Sequence, residues 1–272
     1  MKEIAGVGAC SGVAIGKLRI FHRPLLVVQP REIENIEKEL LRFHQAHQSA
    51  IENIGELCKE ALKKVGPEES MIFSIHQLML EDQAYIARVE SIIITERFSA
   101  EYAVEQAGKQ LARMFREMDS PYMKERSADV VDVSGQIIRV LSGQPAPDFC
   151  EGKERFVLAA SNLLPSEVIQ MDRSKVLALI TSEGSRISHA AILSRSMGIP
   201  TVVNTGISLS QLWDGQMVIV DGTNGIVIPD PDRTLLWKYQ QKKPAHNRYR
   251  VLKNAGSSSL SILFPTMAVS DE

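Results

Sequence analysis

Apolar residues recur every three or four positions through the first half of the chain, and charged residues fill the positions between them. This spacing is typical of amphipathic helices, because it places the apolar side chains on one face. Prolines, serines and glycines interrupt the pattern at intervals and delimit separate helices. The pattern predicts five helices, at 31–65, 67–79, 83–96, 99–118 and 121–141. Together they form an all-helical unit of antiparallel hairpins.

The second half of the chain has a different pattern, in which short β-branched or apolar runs alternate with short helical ones. This alternation predicts an α/β layer fold. An Asn-Gly pair before the last run indicates a hairpin turn, and the glycine-rich residues 1–21 predict a β-hairpin at the beginning of the chain. The predicted strands are 156–160, 176–180, 201–204, 217–221 and 226–228, and the predicted short helices are 165–171, 188–197 and 207–213.

These patterns divide the chain into two structural units and a tail. Residues 1–30 and 144–230 are predicted to form one α/β domain, which the helical unit of residues 31–143 interrupts. A further helix at 232–242 is predicted to leave this domain as a linker. The tail to residue 272 is serine-rich and then apolar, as expected for the truncated start of another domain.

Composition narrows the class of protein. The 272 residues are 44% hydrophobic and 24% charged, with a net charge of −2. These values are ordinary for a soluble globular protein and give no indication of a nucleic-acid or anionic-membrane partner. The chain shows no signal peptide and no apolar run long enough for membrane insertion, so we expect a cytoplasmic protein. The three cysteines, Cys10, Cys58 and Cys150, are predicted to be reduced thiols, and the scattered histidines predict no metal site.

One stretch carries candidate chemistry. A polar, glycine-containing turn precedes His189, and the apolar run after it ends at Gly198 and Pro200. This order predicts a short helix with His189 in its first turn and Ser188 as its N-cap. A helix N-terminus suits a bound phosphate, and Arg186 would neutralise phosphoryl oxygens. From these residues alone, however, a histidine that only caps the helix is the more common case.

The sequence Gly-Ser-Arg-Ile-Ser-His-Ala-Ala-Ile-Leu-Ser-Arg at 184–195, followed by Gly-Ile-Pro-Thr-Val-Val, resembles the phosphohistidine signature of phosphoenolpyruvate-utilising enzymes. The resemblance implies that His189 is the phosphohistidine intermediate and that Arg186, Ser188 and Arg195 stabilise the phosphate. The family usually has glycine at 185 and threonine at 164, 168 and 187. Ser185, Leu164, Val168 and Ile187 stand there instead, which predicts an unusually apolar pocket around the imidazole.

The order of units along the chain also resembles one family, the enzyme I proteins of the bacterial sugar phosphotransferase system. That resemblance implies an α/β phosphohistidine (swivelling) domain with an inserted all-α helical-hairpin subdomain and a C-terminal linker helix. It also implies that the insert binds the histidine phosphocarrier protein HPr. The candidate contacts for this carrier are Glu68, Glu69, Phe73, His76, Met79, Leu111, Phe115 and Arg126.

The resemblance further implies that the chain corresponds to the amino-terminal half of enzyme I. In that family a C-terminal barrel binds phosphoenolpyruvate and Mg²⁺, so we expect no cofactor in this chain. The fragment is expected to be a monomer, and the full-length protein a homodimer through the barrel.

Three functions of different class are therefore open. The first is phosphoryl transfer through His189 from phosphoenolpyruvate to HPr, the first step of sugar uptake. The second is the phosphohistidine domain of a pyruvate phosphate dikinase or phosphoenolpyruvate synthase-like enzyme. The third is a non-catalytic regulatory module that has kept the fold.

Overall fold

The structure is a computed structural model that describes residues 3–23, 28–145, 147, 149 and 154–241. Within these residues, the chain forms a mixed β-sheet with short helices, and an all-helical insertion lies between two strands of this sheet in sequence. The predicted fold class, an α/β domain with an inserted helical unit, is confirmed. Cys150 and the tail from residue 242 lie outside the described residues, and so does the predicted start of a further domain.

Five helices form the insertion, as the apolar spacing predicts. The first begins five residues later than expected, because Asn35 caps it by accepting a hydrogen bond of 2.8 Å from the backbone N–H of Lys38. The third continues into a short π-helical turn at Ile92–Glu96. The helices are α1 Ile36–Lys64, α2 Pro67–Leu80, α3 Gln83–Ser91, α4 Ala100–Glu117 and α5 Pro121–Leu141.

The sheet has eight strands, in the order β1-β8-β7-β3-β4-β5-β6-β2. The four strands from β3 to β6 are mutually parallel, and the remaining pairs are antiparallel. The strands are β1 Ile4–Ala5, β2 Val7–Cys10, β3 Val13–Phe21, β4 Phe156–Ala160, β5 Val176–Thr181, β6 Thr201–Val203, β7 Met217–Asp221 and β8 Ile226–Pro229. Every residue of β4 is buried, as expected for a central parallel strand that is covered on both faces.

The predicted N-terminal β-hairpin is wrong. Strand β2 pairs with β6, whereas β3 pairs with β4 and β7. Only Gly6 separates β1 from β2, yet these strands form opposite edges of the sheet, so the sheet curls until its edges meet. Glycine permits this closure, because a Cβ at Gly8 would lie 2.2 Å from the carbonyl oxygen of Gly222. The hairpin predicted at Asn224–Gly225 is confirmed between β7 and β8.

Three helices accompany the sheet: α6 Pro165–Ile169, α7 His189–Ser196 and α8 Arg233–Gln241. The helix predicted at 207–213 is only a 3₁₀ turn at Leu209–Gln211. Helix α8 was expected to leave the domain, but it packs on β7 and β8 as far as Gln241. Its buried Tyr239 lies against Ile219 and Ile228, so apolar burial holds this helix to the sheet.

The insertion and the α/β unit share one hydrophobic core. Phe43 and Phe73 of the insertion belong to the same buried cluster as Leu158, Val168 and Leu193 of the α/β unit. This shared core brings α7 against α2 and places the first residue of α7 beside α5. None of the helices that the structure describes is both long and apolar enough to cross a membrane.

Candidate functional site

Helix α7 begins at His189, and its N-terminus has the predicted form. Ser188 is in an extended conformation, and its hydroxyl accepts a hydrogen bond of 3.3 Å from the backbone N–H of Ala191. The same hydroxyl donates to the carbonyl oxygen of Ser185 at 3.0 Å. These bonds confirm Ser188 as the N-cap, and its role with phosphate stays a prediction. The cap fixes where the imidazole leaves the helix.

Both ring nitrogens of His189 have partners from helix α5. Nδ1 lies 3.0 Å from both carboxylate oxygens of Asp129, and Nε2 lies 3.2 Å from Nη1 of Arg126. An ionised carboxylate only accepts hydrogen bonds, and a guanidinium only donates them. Both contacts are therefore satisfied only when the neutral ring carries its proton on Nδ1. The lone pair of Nε2 then faces Arg126, and the side chain is 18% exposed.

The carboxylate of Asp129 lies close to three side chains and is almost fully buried, with 1% of the residue's surface exposed. Besides His189, it contacts Arg126 at 3.1 Å and His76 at 3.5 Å. Burial raises the pKa of Asp129, but the hydrogen bond with His189 and the electrostatic attraction of His189 and His76 outweigh burial and hold this pKa well below its usual range. A carboxylate that remains ionised here keeps the proton of His189 on Nδ1.

Arg126 is held in place from two directions. It lies one turn before Asp129 on α5, and its guanidinium lies 4.6 Å from the ring centroid of Tyr122. The guanidinium also donates a hydrogen bond to the hydroxyl of Tyr122. Stacking on an aromatic ring and a salt bridge are both typical of arginines that recognise anions. These contacts hold the guanidinium beside Nε2 of His189.

The site is assembled across the boundary between the two units. His189 comes from the α/β unit, whereas Asp129, Arg126 and His76 come from the insertion. At the other end of α7, the hydroxyl of Ser196 donates to Glu69 on α2 at 2.5 Å. The contacts of His189 with Asp129 and of Ser196 with Glu69 hold both ends of α7 against the insertion and fix the direction of the imidazole.

The structure does not place the two arginines of the signature at the imidazole. Arg195 donates to the carbonyl oxygens of Ala9 at 2.9 Å and of Arg186 at 3.0 Å. Both arginines line a separate cavity of about 470 Å³ beside the glycine-rich strand β2. The cation that contacts the ring is Arg126, which the sequence indicated only as a carrier contact.

The apolar pocket predicted around His189 is also wrong. Val168 is fully buried in the shared core, and Ile187 is 56% exposed. The ring instead has polar partners, because Asp129 and Arg126 occupy both of its nitrogens. The loss of the usual threonine hydroxyls therefore leaves the imidazole hydrogen-bonded.

Two of the predicted carrier contacts cannot lie on a docking surface in this conformation. Phe73 is 0% exposed and His76 is 1% exposed, because this face of α2 points into the core. Glu68 is exposed, while Glu69, Met79, Leu111, Phe115 and Arg126 are partly buried. The large apolar side chains that do face solvent near these positions are Met71, Leu78, Met114 and Tyr122.

The sequence alone does not predict the contact between Asp129 and His189. Asp129 lies 60 positions before His189, so no local spacing connects the two residues. The only signal is that Arg126 and Asp129 lie three positions apart, which places them on one helix face. Tyr122, one turn earlier, was missed for the same reason.

Asp129 also predicts how acid affects stability. Folding lowers the pKa of Asp129, so the ionised carboxylate adds to the free energy of unfolding. This contribution is complete above the unfolded pKa of about 3.9 and is lost as pH falls through the folded pKa. Between about pH 7 and about pH 2.5, the wild type should lose about 1–3 kcal/mol more unfolding free energy than Asp129→Asn. Urea denaturation at a series of pH values measures this difference. Equal losses in the two proteins would contradict it.

Comparisons with known proteins find relatives over most of the chain. Residues 5–126 match the family described as PEP-utilising enzyme, N-terminal, and residues 152–225 match PEP-utilising enzyme, mobile domain. The chain is 36% identical over 253 residues to the phosphoenolpyruvate-protein phosphotransferase of Bacillus subtilis, covering 93% of this chain and 44% of that protein. The protein of the same name from Geobacillus stearothermophilus is 37% identical over 242 residues, which cover 89% of this chain and 42% of the relative. The chain thus spans less than half the length of these relatives.

Solved structures show the same similarity. A solution structure of enzyme I superposes with a TM-score of 0.70 at 36% identity, covering 88% of this chain and 98% of the other. A second structure, the N-terminal domain described as Enzyme 1 - Nitrogen, superposes with a TM-score of 0.57 at 26% identity and the same coverage. The similarity to both structures extends over nearly the whole described chain.

Proposed function

The chain belongs to the enzyme I family of phosphoenolpyruvate-protein phosphotransferases, and we propose that it carries a phosphoryl group on Nε2 of His189. The observation that carries this proposal is the hydrogen-bonding pattern of the ring. Asp129 holds the proton on Nδ1, so Nε2 carries the lone pair that can form a bond to phosphorus once Arg126 moves aside. A phosphocarrier protein, HPr, is the proposed acceptor.

The proposed chemistry consists of two in-line displacements. In the first, Nε2 attacks the phosphorus of phosphoenolpyruvate, the bond from phosphorus to the enol oxygen breaks, and that oxygen takes the electron pair. In the second, a carrier imidazole attacks the same phosphorus, and Nε2 recovers its electron pair. Asp129 stabilises the positive charge that the ring acquires while Nδ1 keeps its proton. Catalysis then depends mainly on positioning and charge stabilisation.

Arg126 has two roles in the proposed mechanism, one before phosphoryl transfer and one during it. In the resting site its Nη1 lies 3.2 Å from Nε2, so the guanidinium covers the lone pair that must attack. It must move aside before a bond to phosphorus forms. Its donors then hold phosphoryl oxygens, which a planar guanidinium does well. The stacking on Tyr122 keeps it close throughout.

The rest of the proposal concerns a longer protein. Phosphoenolpyruvate and Mg²⁺ would be bound by a C-terminal domain outside this sequence, which would also form the homodimer. Transfer to HPr would begin sugar uptake in the cytoplasm. The dikinase-type enzyme is not favoured, because the relatives carry the phosphotransferase name. The non-catalytic module is not favoured, because His189, Asp129 and Arg126 are all present and in contact.

The carrier would dock on the exposed apolar residues of the insertion, which we define as the docking face: Met71, Leu78, Met114 and Tyr122. Met71 and Leu78 are 61% and 65% exposed, on one face of α2. Exposed apolar side chains that share a helix face are typical of interaction surfaces. Tyr122 contacts Arg126, so the docking face borders the site.

Replacing both Met71 and Leu78 with alanine should weaken carrier binding about tenfold, because each loses apolar contact at the interface. The dissociation constant is measured by titrating the labelled carrier with the chain and monitoring the amide chemical shifts of the carrier. Leu41→Ala is the matched control, since Leu41 is 59% exposed on α1 but lies outside the docking face. Equal affinity of the double variant and the wild type would exclude this surface.

The proposed function is tested by phosphate exchange. The purified chain is incubated with radiolabelled, phosphorylated HPr in the presence of a metal chelator. We expect rapid labelling of the chain, because exchange between two imidazoles requires positioned nitrogens and oxygen donors but no metal. Phosphoenolpyruvate with Mg²⁺ should leave the chain unlabelled. Failure of the carrier to label it would refute the proposal.

A further inference from the structure

The buried His76 has an unsatisfied nitrogen next to the site. This residue lies on α2 and is 1% exposed, and its Nε2 has no hydrogen-bond partner among the described residues. Oδ1 of Asp129 lies 3.5 Å from this nitrogen. Unpaired buried polar atoms are rare in native proteins and call for an explanation. A small approach of His76 to Asp129 would satisfy this nitrogen.

Asp129 stands between two imidazoles that belong to different units. Its contact with His189 crosses the boundary between the insertion and the α/β unit, whereas its contact with His76 lies wholly within the insertion. If the α/β unit moves, or if the His189 side chain rotates, Asp129 loses only the first contact. His76 and Arg126 remain beside it.

The proposed function requires His189 to leave Asp129 after the bond to phosphorus has formed. One imidazole has to face both a phosphoryl donor and a carrier, and the segment that contains it matches a family described as a mobile domain. Departure would deprive a buried carboxylate of its closest hydrogen-bond donor, which is costly unless another donor replaces it.

We infer that His76 is a positioning residue that takes over the carboxylate of Asp129 when His189 departs. This inference rests on the proposed function. The Nε2–H of His76 closes to hydrogen-bond distance as the Nδ1–H of His189 withdraws, and no proton changes hands. His76 therefore lowers the cost of releasing His189 and keeps Asp129 ionised for its return.

Two substitutions separate this role from simple packing. His76→Met fills the space but has no N–H donor, whereas His76→Gln keeps one. In the exchange assay with phosphorylated HPr, His76→Met should be about tenfold to a hundredfold slower than the wild type, the loss expected for a hydrogen bond to a charged group. His76→Gln should recover most of the rate.

His47 provides the matched control. It is also a buried histidine, 9% exposed on the neighbouring helix α1, but its Nε2 bonds to the carbonyl oxygen of Leu80 at 2.7 Å and not to Asp129. We expect His47→Met and His47→Gln to exchange phosphate at rates close to the wild type. Circular dichroism tests whether all four variants are folded before their rates are compared.

An NMR measurement on the wild type tests the role of His76 without any variant. Phosphorylation of His189 should shift the ¹H–¹⁵N signal of His76 Nε2–H downfield, as its hydrogen bond to Asp129 shortens. If the wild type is not labelled, the proposed function itself fails. If it is labelled but the His76 signal does not change, or His76→Met exchanges as fast as the wild type, only the role of His76 is refuted.

Discussion

His189→Ala should accept no phosphate from phosphorylated HPr. The substitution removes Nε2, which is the atom that bonds to phosphorus in the proposed mechanism. No other histidine of the described residues has both an Asp129 contact and an arginine at its second nitrogen. The expected loss is complete within detection, because covalent transfer has no alternative nucleophile. The measurement is transfer of radiolabel from the carrier to the chain.

His44→Ala is the matched control for this experiment. His44 is partly exposed on α1, and its Nε2 lies 3.2 Å from Glu90 on α3. This variant should be labelled as fast as the wild type. Acid-labile phosphate that persists in His189→Ala would show that a different residue carries the phosphoryl group.

Asp129→Asn should slow phosphate exchange by a factor on the order of 10²–10⁴, as for a triad carboxylate whose loss allows the wrong tautomer. The asparagine side chain has nearly the same shape, but its amide can donate a hydrogen bond to Nδ1. The ring proton then moves to Nε2 and blocks the attacking lone pair. The substitution also removes the charge that stabilises the ring while the bond to phosphorus forms.

Asp132→Asn controls for the loss of a buried carboxylate on the same helix. Asp132 is 2% exposed on α5, but it accepts hydrogen bonds from the backbone N–H and the hydroxyl of Ser166, at 3.0 and 2.5 Å, and not from His189. This variant should lose stability yet keep its rate at a temperature where it is folded. Equal rate losses in the two variants would contradict the assigned role of Asp129.

The helices could be predicted closely from the sequence, whereas the pairing of the strands could not. Apolar periodicity and residues such as Pro67 and Pro121 are local signals, and they locate the beginnings of α2 and α5. Strand pairing depends on contacts between distant segments. The run at Val7–Cys10 predicts a strand, but nothing in it indicates that the partner is β6, some 190 residues away.

The site shows the same division between local and distant information. His189 and its N-cap lie within one contiguous signature, so the sequence predicts them. Its partners Asp129 and Arg126 come from a helix of another unit, where only folding brings them near. The error at Phe73 and His76 has a different cause. Helix α2 is apolar on more than one face, so the pattern does not distinguish its core side from its exposed side.

In the proposed mechanism, Asp129 directs phosphorylation to Nε2 of His189. The most direct test is an NMR spectrum of the ¹⁵N-histidine-labelled chain after reaction with phosphorylated HPr, in which ³¹P–¹⁵N coupling identifies the nitrogen that carries phosphorus. We predict a single phosphohistidine at position 189, with phosphorus on Nε2 and the proton on Nδ1. Phosphorus on Nδ1, or a phosphate on any other residue, would contradict the mechanism.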